Sequence, residues 1–536
     1  MSSLPVPTQW ILQEANRGST TQAYQNALYR RIFELKAELR LLESCRNAIV
    51  PANRLPAEVL SMVFLNHAAM VVETSEPWDR RSFATIHVAH VCRFWRQVAH
   101  DCKELWTRPL FLGPGLTNYM LQVNAQSNNA PLTIKYRGEE RTPSYTDALA
   151  EALSRTDRIK CIEISEGEVG RGILSQASGY APLLEKVSLD FYEDCEEWES
   201  IPEDFLKGGA PLLKILSVTG MLIPDWSVLP LGRSITHLKL TVSSGLEYDG
   251  RPSSKAFRNS LKEMPLLRSL SLSYFLPDDG AVTRSPSAFP LMSFRALEEL
   301  VLEDRFDDIN DFFQGSSIPS ATHVTLQAGY LENNDELRGL LERLKVSWEK
   351  QMELSALTMT AGLDYDGAQQ FIFNLNPLNY SPVSLSVAFL FNRPTCVDGA
   401  FSAFCEHLHI GSIASLTVWQ EFSAEHWRTF GRLQDLMELT VRGPSISGFL
   451  AALEEAFGED ARTSNFSNAF PALQTLEFEE VNFKDGTHGL CRTLACLPER
   501  HRYLSLRFVR CTNFGADDFM SLAETLPDMQ VALATF

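Results

Sequence analysis

The sequence predicts an α/β repeat protein: a helical N-terminal region, then parallel strands alternating with helices. Three observations predict it. A heptad series of apolar residues runs through residues 28–49. A compact helical module with a Leu-Pro start follows over 51–108. From 109 to 536 the phrase Leu-x-x-Leu-x-Leu recurs with apolar substitutions. The expected domains are therefore 1–50, 51–108 and 109–536.

A chain of 536 residues is too long for one ordinary core, so several domains or a repeat array are expected. Its formal charge of −19, from 67 acidic and 48 basic side chains, opposes a nucleic-acid phosphate backbone. No long basic run offsets it, and no nucleic-acid partner is expected. The start Met1-Ser2-Ser3-Leu4-Pro5 has no basic segment leading into an apolar stretch and does not read as a secretory signal. No apolar run reaches the length of a membrane span, so a cytoplasmic or nuclear location is expected. The 10 cysteines form no C-x-x-C pair and read as reduced core thiols.

In the first region Leu28, Ile32, Leu35, Leu39 and Leu42 alternate spacings of four and three, then reach Arg46 and Ile49. This is the a/d pattern of a coiled-coil seam. Glu34, Lys36, Glu38 and Arg40 keep the rest of the helix wet, and Pro51 stops it. The helix is expected either to pack on its neighbour or to self-associate through 28–49.

In the second region Pro56 suits the first turn of a helix, where a missing N–H costs nothing. Val59, Leu60, Val63 and Phe64 give that helix one apolar face. A second helical stretch carries Ile86, Val91, Cys92, Trp95, Val98 and Ala99, with Arg80, Arg81, Arg93 and Arg96 on its polar side.

The third region has clear copies at Leu184-x-x-Val187-x-Leu189, Leu213-x-x-Leu216-x-Val218 and Ile235-x-x-Leu238-x-Leu240. They continue at Leu267-x-x-Leu270-x-Leu272, Leu297-x-x-Leu300-x-Leu302, Leu436-x-x-Leu439-x-Val441 and Leu473-x-x-Leu476-x-Phe478. Weaker copies end at Leu112, Ile134, Ile162, Leu326, Met359, Val387, Val418 and Leu506. Strand ends are spaced roughly 22 to 37 residues apart, near or above the leucine-rich-repeat period of about 20–29. The last two apolar residues of each phrase share one face of a short strand. One strand cannot bury that face alone, so an irregular leucine-rich-repeat solenoid is expected. Pro182, Pro211, Pro265 and Pro471 end the segments before their strands. An unrelated α/β domain is the alternative.

No catalytic set emerges. Gly167–Gly172 is glycine-rich but wrongly spaced for a phosphate loop. Cys405, His407 and His409 would share one face of a strand, yet Phe401, Phe404 and Leu408 have helical spacing. Neither a metal nor a cofactor is expected, and the chain is expected not to be an enzyme. The acidic run Asp190–Asp204 around Trp198 reads as a solvated loop, or as a docking surface for a basic partner. On the strands, Lys239, Glu299, Glu303, Arg442, Glu477 and Glu479 alternate with the buried positions and would line a concave, protein-binding face.

The combination Leu55-Pro56-Ala57-Glu58-Val59-Leu60, Val91-Cys92-Arg93-Phe94-Trp95 and Leu105-Trp106 resembles the F-box. The preceding heptad helix and following irregular array resemble an arrangement seen in many fungal F-box proteins. The resemblance implies that Leu55 and Pro56 match the family's Leu-Pro start, and Glu58, Leu60 and Phe64 its first helix. Val91, Cys92 and Trp95 would match the later helix, and Leu105 and Trp106 the closing Leu-Trp. In the family these residues are shared between a three-helix core and the groove of a Skp-type adaptor, which joins a cullin. The implied function is substrate recognition for a Skp–cullin–F-box ubiquitin ligase, with an unidentified protein substrate held by the repeats. A leucine-rich scaffold outside any ligase is the alternative. The stretch Met70–Ser82 is longer than the family's usual form.

Overall fold

The computed structural model describes residues 4–14, 21–74, 84–107, 110–111, 127, 129–137, 143–165, 173–191, 200–223, 225–242, 251–277, 292–319, 321–331, 334–348, 356–363, 369–376, 385–391, 403–404, 406–407, 413–419, 422, 424–443, 446–457, 469–484, 487–495, 497, 501, 503–527 and 529–534. They form two compact units, 1–164 and 165–536. The glycine-rich segment 167–172, the Trp198 region of the acidic run, Leu112, Cys405 and His409 fall outside the described residues.

The first unit begins with helices α1 (Val6–Glu14) and α2 (Thr21–Ala48). A 3-10 turn at Pro51–Arg54 ends α2, as proline dictates. Helices α3 (Ala57–Thr74), α4 (Ala84–Val91) and α5 (Arg93–Asp101) follow. The second helical stretch read from the sequence is thus two helices. Cys92 interrupts it with an extended backbone (φ −156°, ψ 175°) and caps α5, its Sγ accepting from Trp95 N at 3.4 Å. Strand β1 (Leu110–Phe111) then pairs in parallel with β2 (Leu132–Arg137). Helix α6 (Pro143–Ser154) and β3 (Ile159–Ser165) close the unit.

The second unit carries a large, mostly parallel sheet. Its first strands are β4 (Lys186–Asp190), β5 (Ile215–Thr219), β6 (His237–Thr241) and β7 (Ser269–Ser273). After the short β8 (Met292–Ser293) comes β9 (Glu299–Asp304). Strands β4 to β7 and β9 pair side by side, all parallel. β8 instead pairs with β10 (Ser316–Ser317) in a two-stranded sheet. The main sheet continues through β11 (His323–Leu331).

The register explains the repeated phrase. Val187, Leu216, Leu238, Leu270 and Leu300 stand in one row, and Leu189, Val218, Leu240, Leu272 and Leu302 in the next. All ten are buried. Each strand hides its apolar face only because its neighbours present the same face at the same height.

The pattern then breaks. Strand β12 (Ala356–Leu363) pairs antiparallel with β13 (Gln369–Asn376), and β13 antiparallel with β14 (Leu385–Phe391). β11 joins β14, and β12 joins β15 (Ser415–Val418), both in parallel. One reversed strand therefore sits between the copies at Met359 and Val387. The irregular leucine-rich-repeat solenoid expected from the sequence is not what the fold shows: the strands belong to one large, mostly parallel sheet. The parallel series resumes with β16 (Glu438–Arg442), β17 (Thr475–Glu479), β18 (Ser505–Val509) and β19 (Gln530–Ala534).

Helices cover the sheet's buried face: α7 (Ser254–Lys262), α8 (Phe306–Phe313), α9 (Asn334–Ser347) and α10 (Ala424–Phe430), then α11 (Ser447–Phe457), α12 (Thr487–Ala495) and α13 (Ala516–Thr525). In α9 the buried Leu337, Leu340, Leu341 and Leu344 follow the 3.6-residue period.

Two local features fix this arrangement. The first residue past β5, β7, β17 and β18 has positive φ: Gly220 at 73°, Tyr274 at 62°, Glu480 at 56° and Arg510 at 51°. At Gly220 a Cβ would lie 1.9 Å from the Phe191 carbonyl oxygen. The second is a buried charge group. Arg251 meets Asp304 at 2.7 Å and Asp308 at 2.8 Å, and Asp304 also accepts from Leu276 N at 3.0 Å and Arg305 N at 2.8 Å. Burial pushes the Asp304 carboxyl up, against the pull of Arg251.

Gly220→Ala is expected to lower unfolding stability by about 1–3 kcal/mol, read by urea denaturation, because left-handed strain and the clash act together. Arg251→Met is expected to lower it by about 3–5 kcal/mol at neutral pH by leaving two carboxylates buried without their cation. That deficit should narrow as pH falls: with its pKa raised by burial, the Asp304 carboxyl of the folded variant takes up a proton before that of the unfolded chain does.

Candidate functional site

The candidate site lies in the first unit and begins at the end of α2. The Pro56 carbonyl accepts the first helical bond of α3 from Leu60 N at 3.1 Å. From there the helix period divides the apolar residues. Leu60 and Phe64, four apart, are turned inward and buried. Val59, Met62 and Val63 are turned outward, 40%, 63% and 47% exposed.

The buried set is closed by the later helices. Val88 and Ala89 of α4, Val98 and Ala99 of α5, Cys102, Leu105 and Trp106 form one cluster with Leu60 and Phe64. Trp106 packs flat on His100 at 5.6 Å, and its Nε1 donates to the Ala99 carbonyl at 2.6 Å. The indole thus buries its rings without stranding its N–H. Burial pushes the Cys102 thiol above its usual range.

Trp95 stands at the edge of this core. Its ring meets Phe64 at 5.1 Å, and its Nε1 donates to Asn53 Oδ1. Asn53 Nδ2 in turn donates to the Asn47 carbonyl at 2.7 Å. Asn53 therefore ties the end of α2 to Trp95. The sequence reading missed it, although an asparagine two residues before a Leu-Pro start is a natural turn residue. Arg96 Nε donates to the Ala89 carbonyl at 2.9 Å, bracing α5 against α4.

The ten residues of the expected docking set divide accordingly. Leu60, Phe64, Leu105 and Trp106 belong to the core; Cys92 and Trp95 are half-buried; Leu55, Pro56, Glu58 and Val91 are exposed. Exposed large apolar residues of the module outside that set are Val59, Met62, Val63, Met70 and Phe94. Residues 75–82 of the long Met70–Ser82 stretch lie outside the described part of the structure, as does Phe83.

The six strand residues of the second unit separate into groups. Lys239 is exposed on β6. Glu299 accepts from Ser269 Oγ at 2.8 Å, and Glu303 from Ser273 Oγ at 2.7 Å. On β16 and β17, Arg442 lies 3.6 Å from Glu479 and 2.7 Å from Glu480, with its guanidinium 3.6 Å above the Trp419 ring. Arg510 pairs with both glutamates, and Glu477 faces Arg507 at 3.9 Å. Trp419 was not singled out from the sequence. It is 41% exposed just past β15. Among the described residues no three His, Cys, Asp or Glu side chains are grouped to hold a metal. His407 instead approaches Glu342 at 3.9 Å, and Phe404 stacks on Phe373 at 4.1 Å.

Against known families, the F-box-like model matches residues 52–112. That match takes in Asn53, the three helices α3, α4 and α5, and the closing Leu-Trp turn. Residues 52–112 form an F-box-like domain. No curated protein matches the chain.

The division of α3 yields a paired test within the F-box-like domain. Phe64→Ala is expected to lower its stability by about 3–5 kcal/mol through an unfilled core site. Val63→Ala, one residue away and exposed, is expected to change it by less than about 0.5 kcal/mol. Thermal unfolding of both variants followed by tryptophan fluorescence measures the contrast.

Proposed function

We propose that this chain is the substrate-recognition subunit of a Skp–cullin–F-box ubiquitin ligase. The observation that carries the reading is the F-box-like domain at 52–112 together with its outward apolar residues. In this reading Leu55, Pro56, Val59, Val63 and Val91 enter the groove of a Skp-type adaptor, with Glu58 beside them. Leu60, Phe64, Leu105 and Trp106 act from beneath by fixing the helices that present these residues. The adaptor connects to a cullin. The polar side of the second unit's strands, from Lys239 through Glu299 and Glu303 to Arg442, Glu477 and Glu479, holds a protein substrate in the manner of leucine-rich repeats. The division into 1–50, 51–108 and 109–536, the likeness to fungal F-box proteins and a cytoplasmic or nuclear location belong to the same proposal.

The chain itself supplies no reactive group in this scheme. It raises the effective concentration of substrate near the conjugating enzyme, so geometry replaces chemistry. An apolar docking face suits that role, since its burial gains free energy at about 25 cal/mol per Å².

Coexpression with a fungal Skp-type adaptor, followed by size-exclusion chromatography, tests the proposal. A one-to-one complex is expected for the wild type, and its loss in Leu55→Ala/Pro56→Ala with unchanged thermal unfolding. Separate peaks for the wild type would favour a leucine-rich scaffold outside any ligase.

A further inference from the structure

Helix α2 has a length and a pattern that its own unit leaves unused. At 1.5 Å per residue its 28 residues extend about 42 Å, and none of them is buried. Helix α1 lies against its first half, where Arg31 Nε donates to Thr8 Oγ1 at 3.0 Å. Along the seam Ile32, Leu39, Leu42 and, just past the helix, Ile49 stand 45%, 55%, 62% and 67% exposed. Four large apolar side chains in heptad register and in water need a cover.

The charges select the cover. The spacing puts Ile32, Leu39 and Arg46 at a, and Leu28, Leu35, Leu42 and Ile49 at d. Arg31 and Glu38 then fall at g, and Lys36 and Glu43 at e. In a parallel pair each g faces the next e of the other helix. Arg31 would meet Lys36, Glu38 would meet Glu43, and Arg46 would meet Arg46 in the core. All three encounters are repulsive. In an antiparallel pair a stacks on d and e faces e. The register that stacks Leu39 on Leu42 also stacks Ile32 on Ile49. It sets Arg46 beside Leu35, where its stem packs and its guanidinium reaches the edge. It brings Lys36 opposite Glu43 twice.

We propose that α2 pairs antiparallel with α2 of a second copy of this chain, in the register that stacks Leu39 on Leu42. The pairing stands apart from the adaptor reading and uses none of its residues.

Sedimentation velocity of the full chain over a concentration series tests it. A reversible monomer–dimer equilibrium is expected, abolished by Leu39→Asp/Leu42→Asp with thermal unfolding of the remaining domains unchanged. Lys36→Glu decides the orientation. It is expected to weaken the dimer about tenfold by setting glutamate against Glu43 at two symmetric places. Adding Glu43→Lys restores it. In a parallel pair Lys36→Glu would instead relieve the clash with Arg31 and tighten the dimer, which would overturn the proposal. A wild type that stays monomeric throughout, or a dimer that survives Leu39→Asp/Leu42→Asp, would overturn it as well.

Discussion

A β-strand that buries one face needs a neighbour carrying the same face at the same height, and the second unit is organised by that requirement. The rows beginning at Val187 and Leu189 run through successive strands with no change of register. A slip of one residue would turn every leucine of a strand to the other side. Past β5, β7, β17 and β18 a positive-φ residue turns the chain out of the sheet directly after the last paired residue. Helices such as α9 then have a continuous apolar surface to cover. The reversed β13 is accommodated because β12 and β14, on either side of it, remain parallel to the rest.

The F-box-like domain is under the opposite constraint. A module this small has too little interior to hide all its apolar residues. Leu60, Phe64, Leu105 and Trp106 fill that interior, and Val59, Met62, Val63 and Val91 are left outside by helix geometry alone. Polar groups hold the arrangement: Asn53 on Trp95, Arg96 on Ala89, and the Trp106 indole on Ala99. Cys92 caps a helix, so its place in the motif has a backbone reason.

Much of this was legible in the sequence. Phrases such as Leu476-x-Phe478 located buried strand positions because a period of two survives any tertiary context. The Leu-Pro start and Leu105-Trp106 located the helical module. Helix α2 was legible as a heptad, and its exposure was not, since exposure depends on what else the chain folds against it. The reversed β13 left no trace, because a buried apolar strand reads alike in either direction. The Arg251–Asp304–Asp308 group was equally hidden. Arg251 lies 53 and 57 residues from its two partners, and isolated charges read as solvated surface. Trp419 was missed for a related reason: its relation to Arg442 exists only once β15 and β16 pair.

The two units expose different kinds of surface, and this bears on how each can bind. The outward residues of α2 and α3 include large apolar ones, Leu39, Leu42, Val59 and Val63 among them, and covering these gains free energy without breaking a bond. Several carboxylates on the second unit's strands already have partners. Glu303 holds Ser273, and Glu479 and Glu480 share Arg442 and Arg510. A ligand meeting those residues must match or displace their pairs, so a new hydrogen bond or ion pair to them is offset by the breaking of an existing one. Burying the exposed apolar residues of the first unit would therefore contribute more free energy to a contact than rearranging the paired charges of the second.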